Sequence, residues 1–245
     1  MDSLALLSID SSTDNASLAI ARDGKVLAEI AWHSRQNHSV ELMPNIERLL
    51  KQTNTDIKSI GCIIVARGPG SFNGLRVGIS TAKGLAFGLG VPIIGIGTLE
   101  AAAYQYAEKG LPICSIMGAG RDEIATALYR LSADKWQQVI AEHITTVDSL
   151  CEKIKSKTIF CGELTPFIIE TLKLKLGRKA IISPPSAGPC RATFLAELGL
   201  KRLQADVCDK PSTLQPIYLR RPQITQPKNR NWVASQTGSA ECDNI

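Results

Sequence analysis

Residues 66–98 read ARGPGSFNGLRVGISTAKGLAFGLGVPIIGIGT, and their pattern is strand, loop, helix, strand. The apolar run 62–66 leads into a glycine-rich loop, residues 67–74, which opens directly into a helix-compatible stretch. A second apolar run, residues 91–96, follows. A loop at a helix N-terminus offers unpaired amides and the positive end of the helix dipole, and both favour anions. Gly68, Gly70 and Ser71 are the contacts such a loop would give. The same glycines around Pro69 also suit plain turn geometry. The pattern G-x-x-x-x-G-K-[ST] cannot be placed, because Leu75 follows Gly74, and G-x-G-x-x-G is not matched either. Taken alone, the loop signals close packing or anion contact without a nucleotide fingerprint. Small residues recur at every fourth position, at Gly74, Gly78, Ala82 and Ala86. Such a stripe lets another backbone approach closely, whether from a sheet or from a partner helix.

On the N-terminal side, residues 4–9 form a buried-type strand that ends at Asp10, Ser11, Ser12 and Thr13. Residues 15–22 and 25–32 are expected to pair as a hairpin across Asp23-Gly24, a type I′ turn signal. Residues 39–52 read as a helix with Val40, Met43, Ile46 and Leu50 on one face. Pro44 removes a backbone donor there and predicts a kink or a late start.

On the C-terminal side a similar unit begins near Pro112. It comprises strands at 113–117, 123–130 and 137–144, then a helix from about residue 146 with Thr145-x-x-Asp148 as its capping box. A strand at 158–161, a helix at 165–176, a strand at 179–183 and a last helix at 191–203 follow. Both halves repeat strand, hairpin, helix, strand. The expected fold is therefore α/β, with two lobes of mixed sheet and flanking helices, as in actin, hexokinase and the Hsp70 ATPase domain. The expected division is a first lobe at 1–104, a second at 105–221 whose last helix returns to the first, and a basic tail at 222–245. In the actin-like class, residues after the first strand wrap a phosphate, and Asp10, Ser11, Ser12 and Thr13 stand in that place.

The composition excludes several classes. The chain has 245 residues, 44% of them hydrophobic and 21% charged, an ordinary globular balance. No apolar run reaches the roughly 18 residues that span a bilayer. The start, MDSLALLSID, has no basic n-region, so a cytoplasmic protein is expected. Seven scattered cysteines without any C-x-x-C indicate neither a disulfide framework nor a zinc ribbon. Three histidines, His33, His38 and His143, are too few for a histidine-based metal site. Residues 217–232 hold Arg220, Arg221, Lys228 and Arg230 with no carboxylate. They could lie along a phosphate backbone, or else form a solvated basic tail.

Residues 7–13 with their hairpin, the run His38-Ser39-x-x-Leu42-Met43-Pro44 and above all RGPGSFNGLRVG at 67–78 carry a family resemblance. Thr98-Leu99-Glu100 and the segment PIYLR at 216–220 extend it. The chain resembles the TsaB (YeaZ) family, bacterial partner proteins in threonylcarbamoyladenosine (t6A) synthesis on tRNA, over roughly residues 4–221. That family is similar to TsaD, which transfers the threonylcarbamoyl group to an adenosine beside the anticodon. The His-x-x-x-His metal pair of TsaD falls on Thr98 and Ala102 here. The Asp-Ala-Arg common in TsaB relatives is replaced by Gly118-Ala119-Gly120, followed by Arg121 and Asp122.

The resemblance implies a non-catalytic subunit that binds TsaD and supports this transfer. It implies no catalytic residue, no metal and no cofactor of its own, with ATP and metal on partner subunits. Nucleotide or anion contact at Asp10–Thr13 and at Gly68, Gly70 and Ser71 would be weak. The implied partners are TsaD, a second copy when the chain is alone, tRNA through the complex, and no membrane; contact with the ATPase TsaE is left open. In TsaB relatives the first-lobe helices form the dimer contact, here Val40, Met43, Ile46 and Leu50 with Gly74, Gly78 and Ala82. The alternatives are a sugar-kinase-class phosphotransferase, for which only Asp10 is well placed, and a TsaD-like metallopeptidase.

Overall fold

A computed structural model describes residues 4–35, 37–133, 135–184 and 191–220. The first lobe comprises β1 (Ala5–Asp10), β2 (Asn15–Arg22), β3 (Lys25–His33), α1 (His38–Gln52), β4 (Ile60–Ala66), α2 (Phe72–Leu89), β5 (Ile93–Ile96) and α3 (Thr98–Tyr104). The second comprises β6 (Ile113–Gly120), β7 (Glu123–Ser132), β8 (Lys135–Thr145), α4 (Val147–Lys153), β9 (Thr158–Gly162), α5 (Pro166–Leu176) and β10 (Ala180–Ile182). A final helix, α6 (Ala192–Gln204), follows.

The two sheets run β3-β2-β1-β4-β5 and β8-β7-β6-β9-β10. Each places an antiparallel meander beside two parallel strands that are reached through helices. This duplicated mixed sheet is the two-lobed α/β arrangement expected from the sequence.

Local chemistry explains the turns. Asp23 and Gly24 adopt φ of 53° and 73° between the paired residues Arg22 and Lys25, the left-handed pair that a type I′ turn needs. Arg121 and Asp122 do the same between Gly120 and Glu123, so Asp122 sits in the β6–β7 turn. α2 is capped at both ends. Ser71 accepts from the Gly74 amide at 3.3 Å, and Gly90 closes the helix at φ 67°. Several expected boundaries shift: α2 begins at Phe72, inside the loop expected at 67–74, β8 is longer than the expected 137–144, and α3 is a helix the sequence reading did not include. α1 begins at His38 and continues through Pro44, and the cap of α4 is Thr146, which accepts from the Ser149 amide at 3.2 Å, in place of Thr145.

β1 and β4 are buried on both faces; β4 therefore reads as a continuous apolar run, while β1 is broken by Ser8, whose hydroxyl donates to the Ala192 carbonyl at 2.7 Å, and ends at Asp10. α1 and α2 cover one face of the first sheet, where Leu42, Ile46, Ile79 and Ala82 meet Leu7, Ile9, Ile63 and Val65. α6 covers the other face, packing Leu195, Ala196 and Leu198 on Leu6, Cys62 and Ile64. A Cβ at Gly199 would lie 2.4 Å from Ile64 Cδ1, so the glycine sets the depth of that contact. α3 joins the lobes. Its Ala101 packs in the first, while Leu99 and Ala103 pack against Ile113 and Tyr129 of the second.

Candidate functional site

The residues after β1 are bound tightly by the chain itself. Asp10 is fully buried, and its Oδ1 accepts from the Ser12 amide at 2.9 Å and the Ser12 hydroxyl at 2.6 Å. Its Oδ2 accepts from Arg191 Nε at 2.5 Å. The Arg191 Nη2 also donates to Thr13 Oγ1 at 2.9 Å and to the Asn15 carbonyl at 3.3 Å. Ser11 Oγ donates to the Gly74 carbonyl at 2.8 Å, and the Ser71 amide donates to the Ser12 carbonyl at 2.7 Å. His38 Nε2 lies 2.9 Å from the Thr13 carbonyl; a carbonyl only accepts, so that nitrogen carries the hydrogen. The carboxylate is neutralised by a single charge-assisted hydrogen bond from Arg191, at the start of α6. The hydroxyls of Ser11, Ser12 and Thr13 are engaged by protein groups.

The glycine loop is engaged as well. The Ile217 amide donates to the Arg67 carbonyl at 2.6 Å, and the Thr98 amide donates to the Gly68 carbonyl at 2.8 Å. Gly68 has φ 108°, and a Cβ there would lie 2.9 Å from the Ile217 carbonyl oxygen. A strap formed by residues 216–220 therefore crosses the loop. Tyr218 lies against Phe72 with ring centroids 5.2 Å apart and accepts from Arg76 Nε at 3.2 Å. Leu219 packs in the second lobe, and Arg220 is ion-paired with Glu123. Between the lobes remains a cleft of about 630 Å³. Thr13, Gly70 and Ser71 line it on one side, Gly118, Ala119, Arg121 and Glu163 on the other, and the strap runs along it.

Several candidates from the sequence take different places. Gly74, Gly78 and Ala82, expected at a partner interface, face inward. A Cβ at Gly74 would lie 2.2 Å from the Ser11 carbonyl oxygen, and one at Gly78 would lie 2.1 Å from Ser11 Oγ; Ala82 has no exposed surface. The stripe lets α2 cross the end of β1 within the same chain. Ile46 is likewise core. Of the other interface candidates, Val40 is 69% and Met43 49% exposed, and Leu50 is half-buried. On α2, Phe87 is 88% exposed, and Gly84 and Gly88 face open space.

Gly70 also serves close approach, since a Cβ there would lie 2.2 Å from the Ser12 carbonyl oxygen. Arg220, expected along a phosphate backbone, is committed to Glu123; Arg221, Lys228 and Arg230 lie outside the described residues. Thr98 is fully buried, and Ala102 accepts a hydrogen bond from Cys161 through its carbonyl. Among the described residues, no group of three His, Cys, Asp or Glu side chains is placed to hold a metal ion. Burial pushes the thiols of Cys62 and Cys114 up to about 12.

Sequence reasoning missed Arg191 and Glu123. An aspartate ending a buried strand does call for a counter-charge. Its partner, however, stands 181 residues away, beyond any local pattern.

Comparison with known proteins places this geometry in a family. The family model described as TsaD, tRNA N6-adenosine threonylcarbamoyltransferase, matches residues 25–225. The TsaB protein of Bacillus subtilis is 30% identical over 95% of this chain and 100% of that protein. A tRNA N6-adenosine threonylcarbamoyltransferase of Geotalea daltonii is 34% identical over 40% of this chain and 33% of its own length. The solved structure of YeaZ from Pseudomonas aeruginosa superposes with a TM-score of 0.74 at 22% identity, covering 88% of this chain and 100% of that one; it shares the fold. With a relative matched over its whole length and the family model spanning most of the chain, the protein belongs to the TsaB (YeaZ) family of tRNA threonylcarbamoyladenosine biosynthesis proteins.

Proposed function

We propose that the protein acts as the non-catalytic partner of a TsaD-type transferase. It binds that subunit and supports transfer of the threonylcarbamoyl group to tRNA, while ATP and metal are carried by partner subunits. The Asp10–Arg191 pair is the observation that carries this proposal. A loop whose carboxylate is neutralised and whose hydroxyls are bonded internally has little left to offer a nucleotide or its metal. Partner binding uses the outward surface of the two first-lobe helices, with Val40, Met43 and Leu50 on α1 and Phe87 on α2. The same surface supports pairing with a second copy when the chain is alone. Among the described residues, no helix is long and apolar enough to cross a membrane.

The test is reconstitution with TsaD from the same organism. Co-elution in gel filtration and TsaD-dependent tRNA modification that requires this chain are expected, with no ATP turnover by the chain alone. ATP hydrolysis by the isolated chain, or equal modification in its absence, would overturn the proposal.

A further inference from the structure

Two short stretches of the second lobe, KIKSK at 153–157 and KLKLGRK at 173–179, hold seven cations and no carboxylate. Removing those seven from the chain's 28 Lys and Arg leaves 21 cations against 23 Asp and Glu. The whole positive excess of the chain, +5, therefore resides in twelve residues. Fifteen residues separate them in sequence, and the fold sets them side by side. β9 and β10 are parallel neighbours with Thr158 opposite Ala180. Lys157 and Lys179 thus enter adjacent strands at the same end, where strands lie about 4.8 Å apart.

All seven side chains are exposed. Lys175 pairs with Asp148 at 2.6 Å, and among the described residues none of the other six is paired with a carboxylate. Lys155 bonds the Glu152 carbonyl, and Lys153 lies 3.5 Å from His143 Nε2. Complementing the C-terminal dipole of α5 would account for Lys173 and Lys175. It gives no reason for Lys155, Lys157, Arg178 and Lys179 to gather on the strand starts beside them.

We infer that this end of the second lobe is a docking surface for the phosphate backbone of RNA. The inference deepens the proposed function by naming where this subunit would touch its tRNA, and it rests on that reading for the choice of RNA. The surface replaces Arg220, which Glu123 already neutralises. Unpaired, exposed cations on a common edge suit phosphates, which are held through charge without base contacts. A lipid surface fits less well, since Leu174, 86% exposed, is the only strongly exposed apolar side chain within the two stretches.

The full-length chain is titrated onto a fluorescein-labelled unmodified tRNA transcript, without TsaD, between 50 and 200 mM KCl. Lys157→Glu/Arg178→Glu/Lys179→Glu is expected to weaken binding about tenfold or more and to flatten the salt dependence by about 2 in log–log slope. Lys25→Glu/Lys58→Glu/Lys109→Glu, an equal charge change on exposed first-lobe and linker positions, is expected to weaken it far less. If the reversed variant fails to fold by circular dichroism, Lys157→Gln/Arg178→Gln/Lys179→Gln is read in the same titration. Absence of tRNA binding by the parent, or equal loss in the two triple variants, would overturn the inference. So would an edge variant that keeps tRNA affinity but loses binding to phosphatidylserine vesicles. Because TsaD is absent, failure of the chain to pair with TsaD sinks the proposed function and leaves this measurement intact.

Discussion

Arg191, at the start of the last helix, donates through Nε to Oδ2 of Asp10 at 2.5 Å, and the aspartate has no exposed surface. One side chain thus joins the end of the first strand to the C-terminal helix and supplies the only counter-charge within reach of a buried carboxylate among the described residues. Removing one member of a buried pair strands the other, at a cost of about 3–5 kcal/mol. Arg191→Ala is expected to lower stability by that order in urea unfolding. Asp10→Asn/Arg191→Gln should recover part of the loss, because neither residue is then an unpaired charge. An Arg191→Ala midpoint equal to the parent's would show that the pair contributes nothing.

The inward stripe of α2 separates two glycines that look alike in sequence. Gly78→Val places a Cβ 2.1 Å from Ser11 Oγ and is expected to destabilise the fold by about 1–3 kcal/mol or more. Gly84→Ala meets nothing within 4 Å and is expected to stabilise the helix by about 0.5–1 kcal/mol. Thermal melts of both variants check the direction. A neutral Gly78→Val would mean that the helix does not cross β1 this closely.

Partner binding is expected to follow exposure. Met43→Asp and Phe87→Asp alter side chains that are 49% and 88% exposed, so both should fold as the parent does. Both should also lose co-elution with TsaD. Retained co-elution by the two variants, with unchanged melting, would move the contact to another surface.

Cysteine chemistry gives a pH-dependent prediction. Burial raises the Cys62 thiol, helped by nearby Cys208, and also the Cys114 thiol, from an ordinary 9.0 to about 12. The folded state therefore holds these protons where the unfolded chain releases them. Stability is fully present below pH 9 and declines from there towards pH 12. In a Cys190→Ser/Cys242→Ser background at pH 8, native protein should show one thiol reacting with Ellman's reagent, the exposed Cys208, and denatured protein five. Rapid native labelling of Cys114 would contradict the packing of the second lobe.

Much of the chain was legible from local chemistry. Asp23-Gly24 encodes its own hairpin, and the doubly buried β4 announces itself as an unbroken apolar run. The motif RGPGSFNGLRVG pointed to the family, and a local spacing suffices for that. The direction of the Gly74–Gly78 stripe was not legible, because a four-residue period says that one helix face is thin and not what lies against it. Only the placement of α2 over Ser11 decided that. The fate of Asp10 depended on a guanidinium 181 residues away, and that of Arg220 on Glu123, 97 residues before it in the chain. The basic edge waited on the parallel register of β9 and β10. Turns, caps and apolar periods are set within a few residues and can be read along the chain. Counter-charges and close approaches join distant segments, so they are decided only when the sheets and helices are assembled.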